Sequence, residues 1–146
     1  MNKLLKIKTF VIMTQENKEL LMKDLCARLP YNVLVHIYDI DVCDYDNYLC
    51  EDYLGKFRNN SIQIKPYLRS TSSMSDQEKK ELKNLCDAKE VTSNSICYHE
   101  GGTLVDYLLV SYSFCSEIID WLNCHHFDYR GLIEKGLALE ALEGMY

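Results

Sequence analysis

The chain lacks the short motifs by which many enzymes and metal-binding domains are recognised. It contains no Cys-x-x-Cys pair, no phosphate-binding glycine loop and no G-x-S-x-G string. These absences argue against a zinc ribbon, a thioredoxin-like site, a nucleotide-binding loop and a serine hydrolase. The chain also has no apolar run of the length that a membrane span needs, and no linker rich in proline, glycine or serine. We therefore expect no cofactor and no membrane insertion.

The composition is that of an ordinary globular protein, with 47% hydrophobic and 26% charged residues in a chain of 146. This length is typical of one domain. The 22 acidic residues outnumber the 16 basic ones and give a net charge of -6. That balance disfavours nucleic acid as a partner, because phosphate binding usually depends on a basic surface.

The seven cysteines are an odd number, so they cannot all pair within the chain. Several lie among apolar residues, where a thiol behaves as a small hydrophobic group. We expect reduced thiols and a cytoplasmic location. Lys3, Lys6 and Lys8 precede the apolar run 10–13, but this run is too short for a signal peptide and no small-residue cleavage site follows it.

The apolar pattern predicts an α+β fold, a small antiparallel β-meander with packed helices in a single compact domain. A helix is predicted from about Thr14 to Pro30, which ends it. The alternation at 33–38 predicts a strand with Leu34, His36 and Tyr38 on one side. Residues 39–52 are predicted to form a connection, and 53–57 a short strand.

Further along the chain, a turn at 58–60 leads into a predicted strand at 61–65, which is expected to stop at Pro66. The capping-box pattern of Ser75 and Glu78 predicts a helix to about Cys86. Residues 87–103 are expected to form a loop, 103–112 fit a strand or a helix, and a helix capped by Ser113 is predicted to reach about His125.

Three stretches carry a family resemblance: KDLCARLPY at 23–31, IKPYLRS followed by SSM at 64–74, and HHFDYRGLIEKGLALEA at 125–141. In this order and spacing the chain resembles a group of short proteins of anaerobic gut bacteria, their phages and mobile elements. The resemblance covers about residue 13 to the end and brings no activity with it. It implies that residues 1–12 are an N-terminal extension of a domain at 13–146, and it favours an accessory role in which the protein binds a host protein.

An acidic, tyrosine-rich stretch is the main candidate site. Alternating carboxylates and aromatic rings suit the basic groove of a partner protein. We predict a non-enzymatic protein-interaction module with an unidentified protein partner and an oligomeric state that the sequence leaves open. The predicted interaction residues are Asp39, Asp41, Asp44, Tyr45, Asp46, Tyr48, Glu51, Asp52 and Tyr53. The same run lacks the glycine and the closing glutamate of an EF-hand loop.

Two alternatives remain at this level. A nucleic-acid-associated protein would use basic and aromatic residues at strand ends: Lys56, Phe57, Arg58, Lys65, Tyr67 and Arg69. A small metal-dependent enzyme would use Cys124, His126 and Asp128, which alternate along the chain but need a ligand from a second element. The competing interpretation of this segment is structural, with the histidines ending a helix and Asp128 capping the next turn.

Overall fold

The computed structural model describes residues 13–88 and 116–146. The predicted extension at 1–12, most of the predicted loop at 87–103, the segment 103–112 and the predicted cap Ser113 lie outside these residues. The described chain divides into two compact units. The first comprises residues 13–67 and Glu134–Leu139, and the second comprises residues 68–88, 116–133 and Glu140–Tyr146. The prediction of a single domain stays a prediction.

The first unit opens with helix α1, Gln15–Arg28. Thr14 is its N-cap, and its side-chain oxygen accepts a hydrogen bond of 3.2 Å from the backbone N–H of Asn17. The cap satisfies one of the N–H groups that have no partner within the helix. After a short 3-10 turn at Leu29–Tyr31, Asn32 takes a left-handed conformation with φ 53° and redirects the chain into the first strand.

The sheet contains strands β1, Leu34–Asp39, β2, Tyr45–Tyr48, β3, Ile62–Leu68, and β4, Leu139–Glu140. Their order is β2-β1-β3-β4. Strand β1 pairs antiparallel with both β2 and β3. Most of the sheet is antiparallel and one pair is parallel, so the predicted α+β class is confirmed. In a meander each strand pairs with the next strand in the chain, whereas here β3 pairs with β1 and not with β2.

Helix α2, Glu51–Arg58, occupies the segment that the sequence pattern assigned to a short strand at 53–57. That prediction was wrong. Leu54 and Phe57, three residues apart, are both buried, as expected for one side of a helix. Acidic residues in the first turn and basic residues in the last turn also complement the helix dipole.

Pro66 lies inside β3, opposite Val35, so the prediction that the strand stops there was also wrong. The N–H of Leu49 donates to the carbonyl of Val33 at 2.9 Å, so Val33 directs its backbone groups towards β2. Val35, two residues on, does the same. Because the backbone groups of Val35 point towards β2, they do not bond to Pro66 on β3. The pairing of Val35 with Pro66 therefore requires no N–H from the proline, which explains why a proline is tolerated inside the strand.

The second unit contains helices α3, Asp76–Ala88, and α4, Ser116–Cys124. The predicted capping box opens α3: Ser75 N–H donates to Glu78 Oε1 at 3.0 Å, and Glu78 N–H donates to Ser75 Oγ at 3.1 Å. The apolar cluster of this unit comprises Met74, Leu82, Ile118, Leu122, Phe127 and Tyr129. Among the described helices, none combines the length and the apolar character of a membrane span.

A buried ion pair in α1 provides a test of the packing in the first unit. Arg28 Nε lies 2.8 Å from Asp24 Oδ2, and both side chains are fully inaccessible to solvent. We expect Asp24→Ala to lower the free energy of unfolding by about 3 kcal/mol, because the change leaves a buried guanidinium without that carboxylate. Urea unfolding measures the loss. Glu16→Ala, at an exposed position of the same helix, is the control, and an equal effect of the two changes would contradict the prediction.

Candidate interaction face

The predicted interaction residues all lie in the first unit. They follow one another along the end of β1, the loop at 40–44, β2 and the first turn of α2. Six of the nine are exposed, and the half-buried ones are Asp39, Tyr45 and Tyr53. We call this set the acidic face. Its members are close together along the chain, but strand alternation sends those on β2 to two sides of the hairpin.

One side of the hairpin is centred on Asp46. The Asp46 Oδ1 atom lies 2.7 Å from His36 Nδ1 and accepts a hydrogen bond of 3.0 Å from the Tyr67 hydroxyl. His36 is directly opposite Asp46 on β2 and opposite Lys65 on β3. The sheet therefore holds an anion, an imidazole and a cation side by side across three strands.

Aromatic rings surround this centre. The His36 ring meets Tyr38 edge to face at a centroid distance of 4.5 Å and Tyr67 at 6.5 Å. Lys65 Nζ lies 6.0 Å from the centroid of the Tyr38 ring, within the range of a cation–π contact. Tyr48, on the same side of β2 as Asp46, is 58% exposed. This side of the sheet is thus aromatic and polar.

The other side of the hairpin carries Tyr45 and Asn47. The Tyr45 ring packs edge to face with that of Tyr53 on α2, at a centroid distance of 6.3 Å. Asn47 Nδ2 donates to the Tyr53 hydroxyl at 2.9 Å. These contacts connect β2 to the first turn of α2, which holds Glu51 and Asp52.

Burial, hydrogen bonding and nearby carboxylates together raise the pKa values of two tyrosines in this region. Burial and then the charges of Asp44 and Asp46 raise the pKa of Tyr38. A hydrogen bond with Tyr53, burial and the nearby carboxylates raise the pKa of Tyr45 to about 12. Both hydroxyls therefore stay protonated at neutral pH and can donate hydrogen bonds.

The outer edge of β2 has a local capping arrangement. Backbone N–H groups alternate between the two edges of a strand, and that of Leu49 points to β1. The N–H of Tyr48 therefore points outward, where it donates to the side-chain oxygen of Asn47 at 2.8 Å. An amide side chain thus occupies a donor at the edge of the sheet.

The residues predicted for nucleic-acid binding do not form one strand-borne patch. Lys56, Phe57 and Arg58 belong to helix α2, and the Phe57 ring is only 3% exposed. Lys56 pairs with Asp52 at 3.1 Å. Lys65 and Tyr67 do lie on β3, on the aromatic side of the sheet described above.

Arg69, the remaining nucleic-acid candidate, belongs to the second unit and is engaged there. Its guanidinium donates to both carboxylate oxygens of Glu78, each at 2.8 Å, and lies 4.3 Å from the centroid of the Phe127 ring. A bidentate pair of this kind fixes the guanidinium plane. Arg69 is therefore a structural residue of the second unit.

The metal candidates follow the end of α4. Cys124 is exposed, whereas His126 and Asp128 are buried. Asp128 Oδ1 accepts from the N–H of Leu132 and Oδ2 from that of Ile133, each at 2.9 Å. Both carboxylate oxygens therefore cap the following turn. Within residues 13–88 and 116–146, no group of three or more His, Cys, Asp and Glu side chains is arranged to hold a metal ion.

His36 and Tyr38 contribute to the candidate face but were not among the predicted site residues. Their signal was present in the alternation at 33–38, which placed both on one side of β1 with Leu34. The hydrogen bond between His36 and Asp46 depends on the β1–β2 register. The connection predicted at 39–52 contained no strand, so this register was not available from the sequence pattern.

No family model, curated protein or solved structure matches this chain. The resemblance to short proteins of gut bacteria and their phages stays a prediction.

The two interpretations of Asp128 predict different mutational patterns. We expect Asp128→Ala to lower the free energy of unfolding by about 2 kcal/mol, because two backbone N–H groups lose their acceptor. Cys124→Ala should have almost no effect. Urea unfolding with and without a chelator measures both. If the two variants lose the same stability and the chelator reproduces that loss, Asp128 acts as a metal ligand.

The Arg69–Glu78 pair predicts an acid-dependent loss of stability. The Arg69 guanidinium holds the pKa of Glu78 at about 2, against an ordinary value of 4.5. A carboxyl whose pKa is lowered by folding adds stability above pH 4.5, and this is lost as the pH falls towards 2. We expect Glu78→Gln to cost roughly 3 kcal/mol at pH 6 and much less near pH 2. The measurement is urea unfolding at both pH values.

Glu81→Gln is the matched control for this prediction, since Glu81 lies exposed on the same helix and bonds only the nearby Gln77 amide in the described structure. It should be nearly neutral at both pH values. A cost of Glu78→Gln that is the same at pH 6 and pH 2 would show that the ion pair does not lower this pKa.

Proposed function

We propose that this protein is a non-enzymatic interaction module whose acidic face binds a basic segment of a partner protein. The observation that carries the proposal is the combination of exposed carboxylates with tyrosine rings around β1, β2 and α2. Carboxylates attract and orient cationic side chains, and tyrosine rings bind them through their faces. Tyrosine also gives a large contact area for a small loss of side-chain freedom.

Lys65 shows how a cation is bound on this side of the sheet. Its ammonium group lies over the Tyr38 ring and opposite His36 in the sheet. A partner's arginine at Tyr48, the most exposed tyrosine of the acidic face, would meet similar chemistry, with Asp46 on the same side of the strand. Arginine should be preferred over lysine, because its planar guanidinium both stacks on rings and bonds carboxylates bidentately.

The cellular setting of the proposal is taken from the resemblance to short proteins of gut bacteria, their phages and mobile elements. In an accessory protein of a phage or mobile element, the basic segment would belong to a host protein. We place the interaction in the cytoplasm. The cysteines Cys26, Cys43, Cys50 and Cys124 are all free thiols in the described structure, which fits a reducing compartment.

Labelled oligo-arginine, oligo-lysine and the uncharged oligo-citrulline provide probes for the acidic face. We expect binding in the order arginine, lysine and citrulline by fluorescence anisotropy. A variant with Asp41→Lys, Asp44→Lys and Glu51→Lys should bind oligo-arginine at least about tenfold more weakly, because three exposed carboxylates become repulsive. Tyr48→Ala should reduce the preference for arginine over lysine.

A variant with Glu16→Lys, Glu81→Lys and Glu134→Lys has the same net charge and leaves the acidic face intact. It should lose only the small share of affinity that depends on overall charge. Equal losses in the two triple variants would overturn the proposal. So would tighter binding of single-stranded DNA than of oligo-arginine at low salt, which would instead support the nucleic-acid alternative through Lys65 and Tyr67.

A further inference from the structure

A second surface of the first unit has the opposite character. A groove of about 550 Å³ runs along α1, beside the turn that follows α2. Side chains of α1 at helical spacing form one wall, and Arg58 and Asn60 form the other. It is an open surface groove, because six of its eight lining residues are solvent-exposed.

The charges in this groove are mainly positive, although the whole chain is acidic. Lys18, Lys23 and Arg58 line it, against the carboxylate of Glu19. That carboxylate already accepts a hydrogen bond of 2.9 Å from the amide of Gln15. Positively charged side chains in the groove therefore outnumber the negatively charged ones. This excess of positive charge favours an anionic ligand.

Lys18 is held in place before any ligand arrives. Its ammonium group donates to the carbonyl of Arg58 at 3.2 Å and to the side-chain oxygen of Asn60, and it lies 5.5 Å from the centroid of the Phe57 ring. An ammonium has three N–H donors, so one more is available for a ligand. Fixing the cation in advance reduces the entropy that binding would otherwise cost.

The groove also has an apolar part. Met22 is half-buried there, and the exposed thiol of Cys26 lies one turn further along α1. The methylene stems of the lysines add apolar surface beneath their charged ends. A ligand that fits this lining has an apolar body and one anionic head.

We propose that this groove binds a small amphipathic anion, with its head group on Lys18, Lys23 and Arg58 and its alkyl body against Met22 and Cys26. The site is separate from the acidic face and does not depend on the function proposed above. The acidic face would repel such a ligand, so the two surfaces select partners of opposite charge.

Cys26 gives a direct readout with the intact chain. Decanoate should slow the alkylation of Cys26 by iodoacetamide, whereas Cys43, an exposed thiol outside the groove, should react at an unchanged rate. Peptide mass spectrometry measures both thiols in the same sample. Decanol, which has the same body without the charge, should protect Cys26 about tenfold less well. Equal protection by decanol, or no protection by decanoate, would overturn the proposal.

Two substitutions test the charged part of the site. Lys23→Gln with Arg58→Gln should weaken decanoate binding about tenfold, while the matched change Lys56→Gln, on an exposed cation of α2 outside the groove lining, should leave it unchanged. Lys18 is kept because it supports the 58–60 turn. Thermal unfolding confirms that the variants fold. If anionic phosphatidylglycerol vesicles protect Cys26 and decanoate does not, the groove recognises a membrane lipid and the small-ligand proposal fails.

Discussion

The pairing of β1 with its two neighbours is the constraint on which the first unit depends. Val35 and Ile37 are fully buried on one side of this strand, so the register cannot shift by one residue without exposing them. The same register fixes His36 opposite both Asp46 and Lys65. A requirement of the core thus determines which polar groups meet on the opposite side of the sheet.

The elements with clear local signals could be predicted from the sequence. The start of α1 near Thr14, the β1 alternation and the capping box at Ser75 and Glu78 depend on interactions between residues close in the chain, and all three are present. Pro66 and the segment 53–57 could not be predicted in the same way. Pro66 is tolerated only because β1 directs its hydrogen bonds away from it at this position. Leu54 and Phe57 form the buried side of a helix because both pack into the core. Tertiary contacts decided both cases.

In the candidate site, too, some features could be predicted from the sequence and others could not. The sequence identified the carboxylates and tyrosines of the acidic face, because they are consecutive in the chain. It did not separate Tyr45 from Asp46, which alternation sends to opposite sides of the hairpin, and it did not include His36. It also gave no sign of the groove on α1, since Arg58 and Asn60 reach Lys18 only through folding. Surfaces built from one segment are visible in a sequence, whereas those built from distant segments are not.

The side chain of Asn47 has a consequence for the behaviour of the protein at high concentration. An exposed strand edge is a template on which another chain can extend the sheet, and this is a common route to aggregation. The Asn47 oxygen takes up the outward N–H of Tyr48, and the carboxylate of Asp46 lies beside it in the sequence. An incoming strand would have to displace the amide and approach a negative charge. Among the described strands, the hairpin therefore presents its tyrosines to solvent with one edge donor fewer available to a second copy of the chain.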